Sequence, residues 1–379
     1  MTVRKAIFWT HLITGVIAAL VVAMMSITGV FLTYDRQMKD WADRNFYEID
    51  SVTESRLTVD ELISVVQARD SDLEINTITI INRDDAPPFV SKGRADKTYV
   101  DPTSGEIFGP GNTSLRGFFS VITRWHRWFD MDGDSRSIGK GLTGIANLMF
   151  LFLILSGLYL WLPPLYRWIV FKQRLMFNDK AATAKARDYN WHHVFGFWSL
   201  IPLFFIVVSG ATLSYRWASG AVYALAGEER PARGRAEPGA ELLPGATPLS
   251  LQEHFQFAKS QSQRWQRIVL SLPDSNAATI SVVVDEGSGG EPTKKKTLII
   301  DRVTGTTLRT ETFSDRTPAG KVLGYFRWLH TGEALGLAGQ TIAGIVSTLS
   351  VLMVWTGLAL AYRRLIQPSI RRRKLRSGG

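Results

Sequence analysis

The chain has 379 residues, no cysteine, and 44 Lys and Arg against 34 Asp and Glu, for a net charge of +10. Without cysteine there can be no disulfide, iron–sulfur cluster, thiolate zinc site or thioether-attached c-type haem. The charge does not point to nucleic acid either, because the basic runs abut long apolar segments and no recognition motif accompanies them.

The first element is an apolar segment over residues 7–33, preceded by Arg4 and Lys5. A helix needs about 20 apolar residues to cross a bilayer. This segment is too long for a signal-peptide core, lacks an A-x-A-like site and carries His11 near its start, so it reads as an uncleaved span. The loop that follows reads as a small α+β domain over 35–125. In it Thr58-x-x-Glu61 opens an apolar-periodic helix with a capping-box signature. Strand-like runs EINTITII and KTYV come next, and a turn at Asp101-x-x-x-Gly105 closes a hairpin. His126 then stands in Arg124-Trp125-His126-Arg127-Trp128, ahead of a second span at 141–162.

A connection over 163–190 carries Arg167, Lys172, Arg174, Lys180, Lys185 and Arg187, and leads to a third span at 191–213 that opens on His192 and His193. The second long loop, 214–329, follows the plan of the first. Ser250-x-x-Glu253 begins its helix, RIVLSL, TISVVVD and TLIID are its strands, and Asp301-x-x-x-Gly305 its turn. Gly227 to Pro248 reads as an exposed linker, and His254, which fits no repeat, as a solvated residue. His330, in Arg327-Trp328-Leu329-His330, precedes a fourth span at 340–362, and 363–379 is a basic tail.

Lys and Arg in short segments set orientation. The N-terminal tail, the 163–190 connection and the C-terminal tail hold fifteen cations against two acids, Asp179 and Asp188. These segments are therefore expected in the cytoplasm, with both termini, and the two long loops in a bacterial periplasm. The run Arg371–Lys374 reads as an inside anchor in contact with the lipid bilayer. The expected fold is an integral membrane four-helix bundle of two duplicated halves, with two small periplasmic α+β domains.

The duplication shows most clearly in the histidines. His11 lies four residues before Gly15 and eighteen before Gly29, and His192 stands the same distances from Gly196 and Gly210. Gly144 to Gly157 and Gly344 to Gly357 are both thirteen residues. Imidazoles near hydrocarbon are costly and usually have a task. Two symmetric pairs point to ligation, with haem as the best candidate. Eighteen residues is five helical turns, so His11 and His192 could reach one iron across the bundle, with Gly15 and Gly196 letting the macrocycle approach. His126 and His330 would hold a second haem, cleared by Gly29 and Gly210, while Gly157 and Gly357 make room for the first. Arg124, Arg127 and Arg327 are suited to hold propionates through charge-assisted bonds. His193 lies 100° round the helix from His192 and could itself be the ligand or a partner to it; His192 is favoured. Met24 and Met25 read as packing residues. Lacking cysteine, the chain would bind two non-covalent, bis-His b-type haems.

The H-x-x-x-G span openings resemble the PepSY-associated transmembrane family. So do the SG-L-x-L-W and TG-L-x-L ends of spans two and four. The helix-then-strands loops with a DPxTG-like turn resemble PepSY domains. The resemblance covers nearly the whole chain. It implies an iron-regulated inner-membrane protein or ferric-siderophore reductase, whose acceptor is a ferric siderophore or another periplasmic Fe(III) chelate. No dinucleotide fingerprint or flavin-like domain is present, so the donor must be external, either membrane quinol or a cytoplasmic reductase. No acid–base or nucleophilic constellation is apparent. The alternative is a PepSY-domain membrane anchor that binds or regulates a peptidase without redox activity, which leaves the paired histidines unexplained. An iron-complex permease would need broken helices or midplane polar groups that the spans lack.

Overall fold

The computed structural model describes residues 2–44, 47, 56–93, 96–164, 166–230 and 241–370. The basic run Arg371–Lys374 and residues 231–240 of the expected linker lie outside them. In chain order the helices are α1 (Val3–Leu32), α2 (Asp35–Arg44), α3 (Val59–Arg69), α4 (Thr113–Trp128), α5 (Arg136–Trp161) and α6 (Trp168–Leu175). They continue with α7 (Ala184–Ser214), α8 (Arg216–Leu225), α9 (Leu251–Ser260), α10 (Pro318–His330) and α11 (Gly336–Leu365). The chain forms two compact units: residues 1–34, 119–222 and 325–379 make one, and 35–118 with 223–324 the other.

The first unit is a helical bundle. Among the described residues four helices are long and apolar enough to cross a membrane, those containing α1, α5, α7 and α11. Each begins several residues before the expected span, and capping side chains support the early start of two of them. Thr2 accepts from Lys5 N at the start of α1, and Thr183 from Ala186 N at the start of α7. Both α1 and α7 pack against both α5 and α11, which makes α1 and α7 diagonal neighbours. Ile154, Leu203, Val207 and Val346 form the apolar centre. Small polar groups join helices there, as in other membrane bundles: Ser26 Oγ lies 2.9 Å from Ser350 Oγ, and Asn147 Nδ2 donates to the Val207 carbonyl at 2.9 Å. At one end the buried Asp188 accepts from Arg363 at 2.5 Å and Arg187 at 2.9 Å, tying the start of α7 to the end of α11.

The second unit is a single antiparallel sheet of eight strands in the order β4-β3-β2-β1-β5-β6-β7-β8. The strands are β1 (Thr77–Ile81), β2 (Phe89–Ser91), β3 (Thr98–Val100), β4 (Ile107–Gly109), β5 (Arg267–Ser271), β6 (Thr279–Asp285), β7 (Lys295–Asp301) and β8 (Thr307–Thr312). The two loops therefore do not close as the two separate domains expected over 35–125 and 214–329. β1 of the first loop pairs with β5 of the second over five residues, from Thr77↔Ser271 to Ile81↔Arg267. Left apart, each would present a row of unpaired backbone groups, and the pairing removes both edges. It also merges two small cores, since Ile78, Leu270 and Ile268 on the joined strands are fully buried under α3 and α9.

Both expected capping boxes form, at Thr58 with Glu61 and Ser250 with Glu253. The two helices also cap each other. Asp60 accepts from Leu251 N and Gln252 N at 2.9 and 2.8 Å, while Gln252 Oε1 accepts from Val59 N at 3.0 Å. In the matching turns Asp101 and Asp301 each accept from two backbone amides further on, and Gly105 and Gly305 supply the left-handed φ of 67° and 69°.

His254 is a correction. It is 1 % exposed, shut away from water beside the Arg302 backbone. Its place in α9 is that of the buried Leu62 in α3, one residue after the capping-box Glu in each. Burial, helped by Arg302, lowers its pKa from the ordinary imidazole value, against the opposing carboxylates of Glu253 and Asp60.

Two tests of stability follow from these contacts. Asp188→Ala should destabilise the bundle by about 3 kcal/mol, the low end for a broken buried pair, because Arg363 keeps part of its solvent contact. Thermal unfolding in detergent reads this, and an unchanged midpoint would deny the tie between α7 and α11. His254 binds protons more readily unfolded than folded. The stability of the second unit should therefore be complete above pH ~6.5 and fall as pH drops toward the depressed folded pKa. Hydrogen exchange of α9 in the full chain should show this acid loss, and His254→Leu should remove it.

Candidate functional site

Four histidines each meet the end of a neighbouring long helix, three of them through a hydroxyl and the fourth mainly through a carbonyl. His11 on α1 has Nδ1 2.8 Å from Ser156 Oγ on α5, and its Cε1 is 3.4 Å from where a Cβ on Gly157 would stand. His192 on α7 has Nδ1 3.0 Å from Thr356 Oγ1 on α11, with Cε1 again 3.4 Å from the Cβ position of Gly357. His126 on α4 meets Thr28 Oγ1 on α1 at 2.9 Å, and its Cε1 lies 3.7 Å from the Cβ position of Gly29. His330 on α10 bonds the Ile206 carbonyl of α7 at 2.9 Å and lies 3.4 Å from Ser209 Oγ, with Gly210 against its ring edge at 3.2 Å.

Adjacent residues on a helix point 100° apart. A hydroxyl followed by glycine thus offers a polar contact beside a gap, and an imidazole fills that gap. Each hydroxyl also donates to a carbonyl of its own helix: Ser156 to Phe152, Thr28 to Met24, Thr356 to Leu352 and Ser209 to Ile206. The hydroxyl oxygen is then left as an acceptor, so Nδ1 carries the ring proton and Nε2 keeps a lone pair. This refines the expected role of the glycines. Gly29, Gly157, Gly210 and Gly357 clear space for the edge of an imidazole. Gly15 and Gly196 face Leu153 and Met353 instead, and both line a cavity.

That cavity, of about 820 Å³, is lined by His11, His192 and His193. Its size falls in the range of cofactor pockets. Arg4, Lys5, Arg174, Lys185 and Arg364 also line it, and among the described residues no carboxylate does. Two of these cations satisfy the open carbonyls at the end of α5: Arg4 donates to Leu160 and Leu162, and Arg174 to Trp161. His193 lacks a hydroxyl–glycine partner. Its Nδ1 bonds the Tyr189 carbonyl of its own helix at 2.9 Å, and its ring lies tilted against Tyr189 with centroids 4.1 Å apart. His192 alone of the adjacent pair has the repeated arrangement.

The other pair lies about 27 Å along α1, at 1.5 Å per residue from His11 to Gly29. Ring centroids of His126 and His330 are 6.1 Å apart. Two imidazoles on opposite sides of one metal, with bonds of about 2.0 Å each, place their centroids at such a separation. Among the described residues no three His, Asp or Glu side chains gather to hold a bare metal ion. Imidazole donors in pairs would instead fit a haem, whose macrocycle itself supplies the remaining ligands to iron. The residues fit haem.

The arginines divide. Arg124 is engaged by Asp130 at 2.5 Å, where Phe129 and Asp130 take left-handed φ and turn the chain from α4 into α5. That contact draws it away from the propionate role expected of it. Arg127 lies 4.7 Å over the Trp128 ring, Arg136 lies 4.2 Å over the same ring, and Arg327 lies 5.1 Å over Trp328. Burial and the like charges of Arg136 and Arg327 push the Arg127 guanidinium below its usual value. Such a cluster favours an anion.

The sequence reading missed the hydroxyls, although the pairs Thr28-Gly29, Ser156-Gly157, Ser209-Gly210 and Thr356-Gly357 stand in plain register. It also missed helices α4 and α10. Their signal is one face at Leu115, Phe119, Ile122 and His126, matched by Ala319, Leu323, Phe326 and His330.

The family described as the PepSY-associated TM region matches residues 8–364, and the chain belongs to that family. It is a membrane protein with helices able to span the bilayer. No curated protein matches it.

Proposed function

We propose that this member of the PepSY-associated family is a bacterial inner-membrane di-haem b-type oxidoreductase. It passes electrons across the bilayer to a periplasmic ferric siderophore or similar chelate and releases Fe(II). The observation that carries the reading is the set of four imidazoles, each with Nδ1 occupied and Nε2 open, in two pairs at opposite ends of one bundle. Haem, when bound, supplies a one-electron Fe(III)/Fe(II) couple.

His11 and His192 would hold one haem, and His126 and His330 the other. Arg127 and Arg327 are placed for the propionates of the second, and the cations lining the 820 Å³ cavity for those of the first. The excess of cations in the short segments supports cytoplasmic termini, which puts the His11 pair inside and the His126 pair outside. The repeated spacings, the mutual capping of α3 and α9 and the near-symmetric strand order support descent of the two halves from a duplication, with PepSY-like loops outside. Electrons come from quinol or a cytoplasmic reductase. Ferric chelates with hard oxygen donors hold Fe(II) weakly, so reduction alone releases the metal.

The purified protein should carry about two extractable low-spin b-type haems, one per histidine pair. His11→Ala or His192→Ala should remove one haem, and His126→Ala or His330→Ala the other. A colourless, folded preparation from haem-sufficient cells would end the proposal. The dithionite-reduced protein should also be reoxidised by a ferric siderophore, with Fe(II) appearing in a ferrous trap. His126→Ala should keep a reducible inner haem yet lose this transfer, and undiminished ferric reduction in that variant would take the outer haem out of the path.

A further inference from the structure

The hydroxyls of Thr28, Ser156 and Thr356 have no part in carrying electrons, yet each meets a candidate ligand. We propose that these three are positioning residues: each fixes the tautomer and ring orientation of its histidine, and so sets how strongly Nε2 donates to iron. The inference rests on the haem reading above and deepens it.

A hydroxyl has one proton to give. Thr28, Ser156 and Thr356 each direct it to the carbonyl four residues back, at 2.7, 2.6 and 2.9 Å. The oxygen that remains can only accept, so the facing Nδ1 must donate, at 2.9, 2.8 and 3.0 Å. A ring held in that tautomer keeps its lone pair on Nε2 at all times. The hydrogen bond on the far nitrogen makes it the stronger donor to a metal.

The bland reading is that Ser and Thr inside helices commonly bond back to their own carbonyls. Thr348 on α11 does so, to Gly344 at 2.9 Å, and Leu349 rather than glycine follows it. The back-bond alone therefore does not define the arrangement. What separates the three is the glycine that follows each, whose missing Cβ admits the ring. The histidines differ in degree: carbonyls of Met25 and Met353 also approach His126 and His192 behind the hydroxyl, none approaches His11, and in His330 the carbonyl comes first. The nearer partner of His330 is the Ile206 carbonyl at 2.9 Å, and Ser209 Oγ is at 3.4 Å. Its donor stays satisfied when that hydroxyl is removed, so Ser209 should matter less.

The test uses the full chain in detergent, with the midpoint potential of each haem and its low-spin resonance spectrum as readouts. In Ser156→Ala and Thr356→Val the His11/His192 haem should move to higher potential, and in Thr28→Val the His126/His330 haem should. Each should also be released about 10–100-fold more readily, with the haem at the other end unaltered. Ser156→Thr, Thr356→Ser and Thr28→Ser should restore the parent values, which a purely steric role would not predict. Ser209→Ala and the control Thr348→Val should stay near the parent. Unmoved potentials and spectra in Ser156→Ala and Thr356→Val proteins that hold both haems would overturn the inference while leaving the haem reading intact. Failure of a Ser/Thr exchange to restore a variant would overturn it too. Absence of haem from the unaltered protein would remove both.

Discussion

The bond from an imidazole Nδ1 to a hydroxyl at the end of a neighbouring helix is the contact on which this bundle's arrangement turns. A ring nitrogen left without a partner away from water costs roughly as much as a lost hydrogen bond. Four rings would be four such losses. Ser or Thr followed by Gly meets the need locally, giving an acceptor at one position and an open edge at the next. The carbonyl that takes the hydroxyl proton belongs to the same helix, so the clamp requires nothing from a third element.

The clamps also dictate which helices must adjoin. At one end the histidines sit on α1 and α7, and the slots that receive them are on α5 and α11. At the other end α1 and α7 carry the slots, and the histidines arrive on α4 and α10, just before α5 and α11. Each diagonal pair thus supplies rings at one end and slots at the other. That reciprocity needs α1 and α7 to touch both other spans, as they do. The bundle also has an apolar centre of Ile154, Leu203, Val207 and Val346, of which Ile154 and Leu203 line the cavity. For the proposed haems this is a rigid frame, with each ligand borne on a helix and its far nitrogen fixed. No ligand rests on a loop.

In the second unit the decisive contact is the pairing of β1 with β5. Two four-stranded sheets of three- to seven-residue strands would each be marginal. Joined, they share a core under α3 and α9, and the crossed caps of Asp60 and Gln252 fix the two helices against each other. His254 is a buried imidazole in that unit, and its depressed proton affinity links the unit's stability to mild acid.

Much of this was legible in the chain. Length and hydropathy gave four spans, the distribution of Lys and Arg gave an expected orientation, and capping boxes and Asp–Gly turns located the helices and hairpins of the loops. These are local signals, written within a few turns of backbone. The histidine spacing also announced which rings would lie near each other, His11 with His192 along one cavity and His126 with His330, because a helix converts eighteen residues into one face. Sequence alone did not decide what each glycine faces. Gly29 and Gly15 look alike in the chain, but one abuts an imidazole and the other a leucine, a difference made by the neighbouring helix. The difference in setting between His192 and His193 also comes from a partner 164 residues away. Arg124 was diverted by a left-handed turn, and His254 was buried by a sheet assembled from both loops. Contacts between distant segments depend on which surfaces meet, and only the packed chain fixes that.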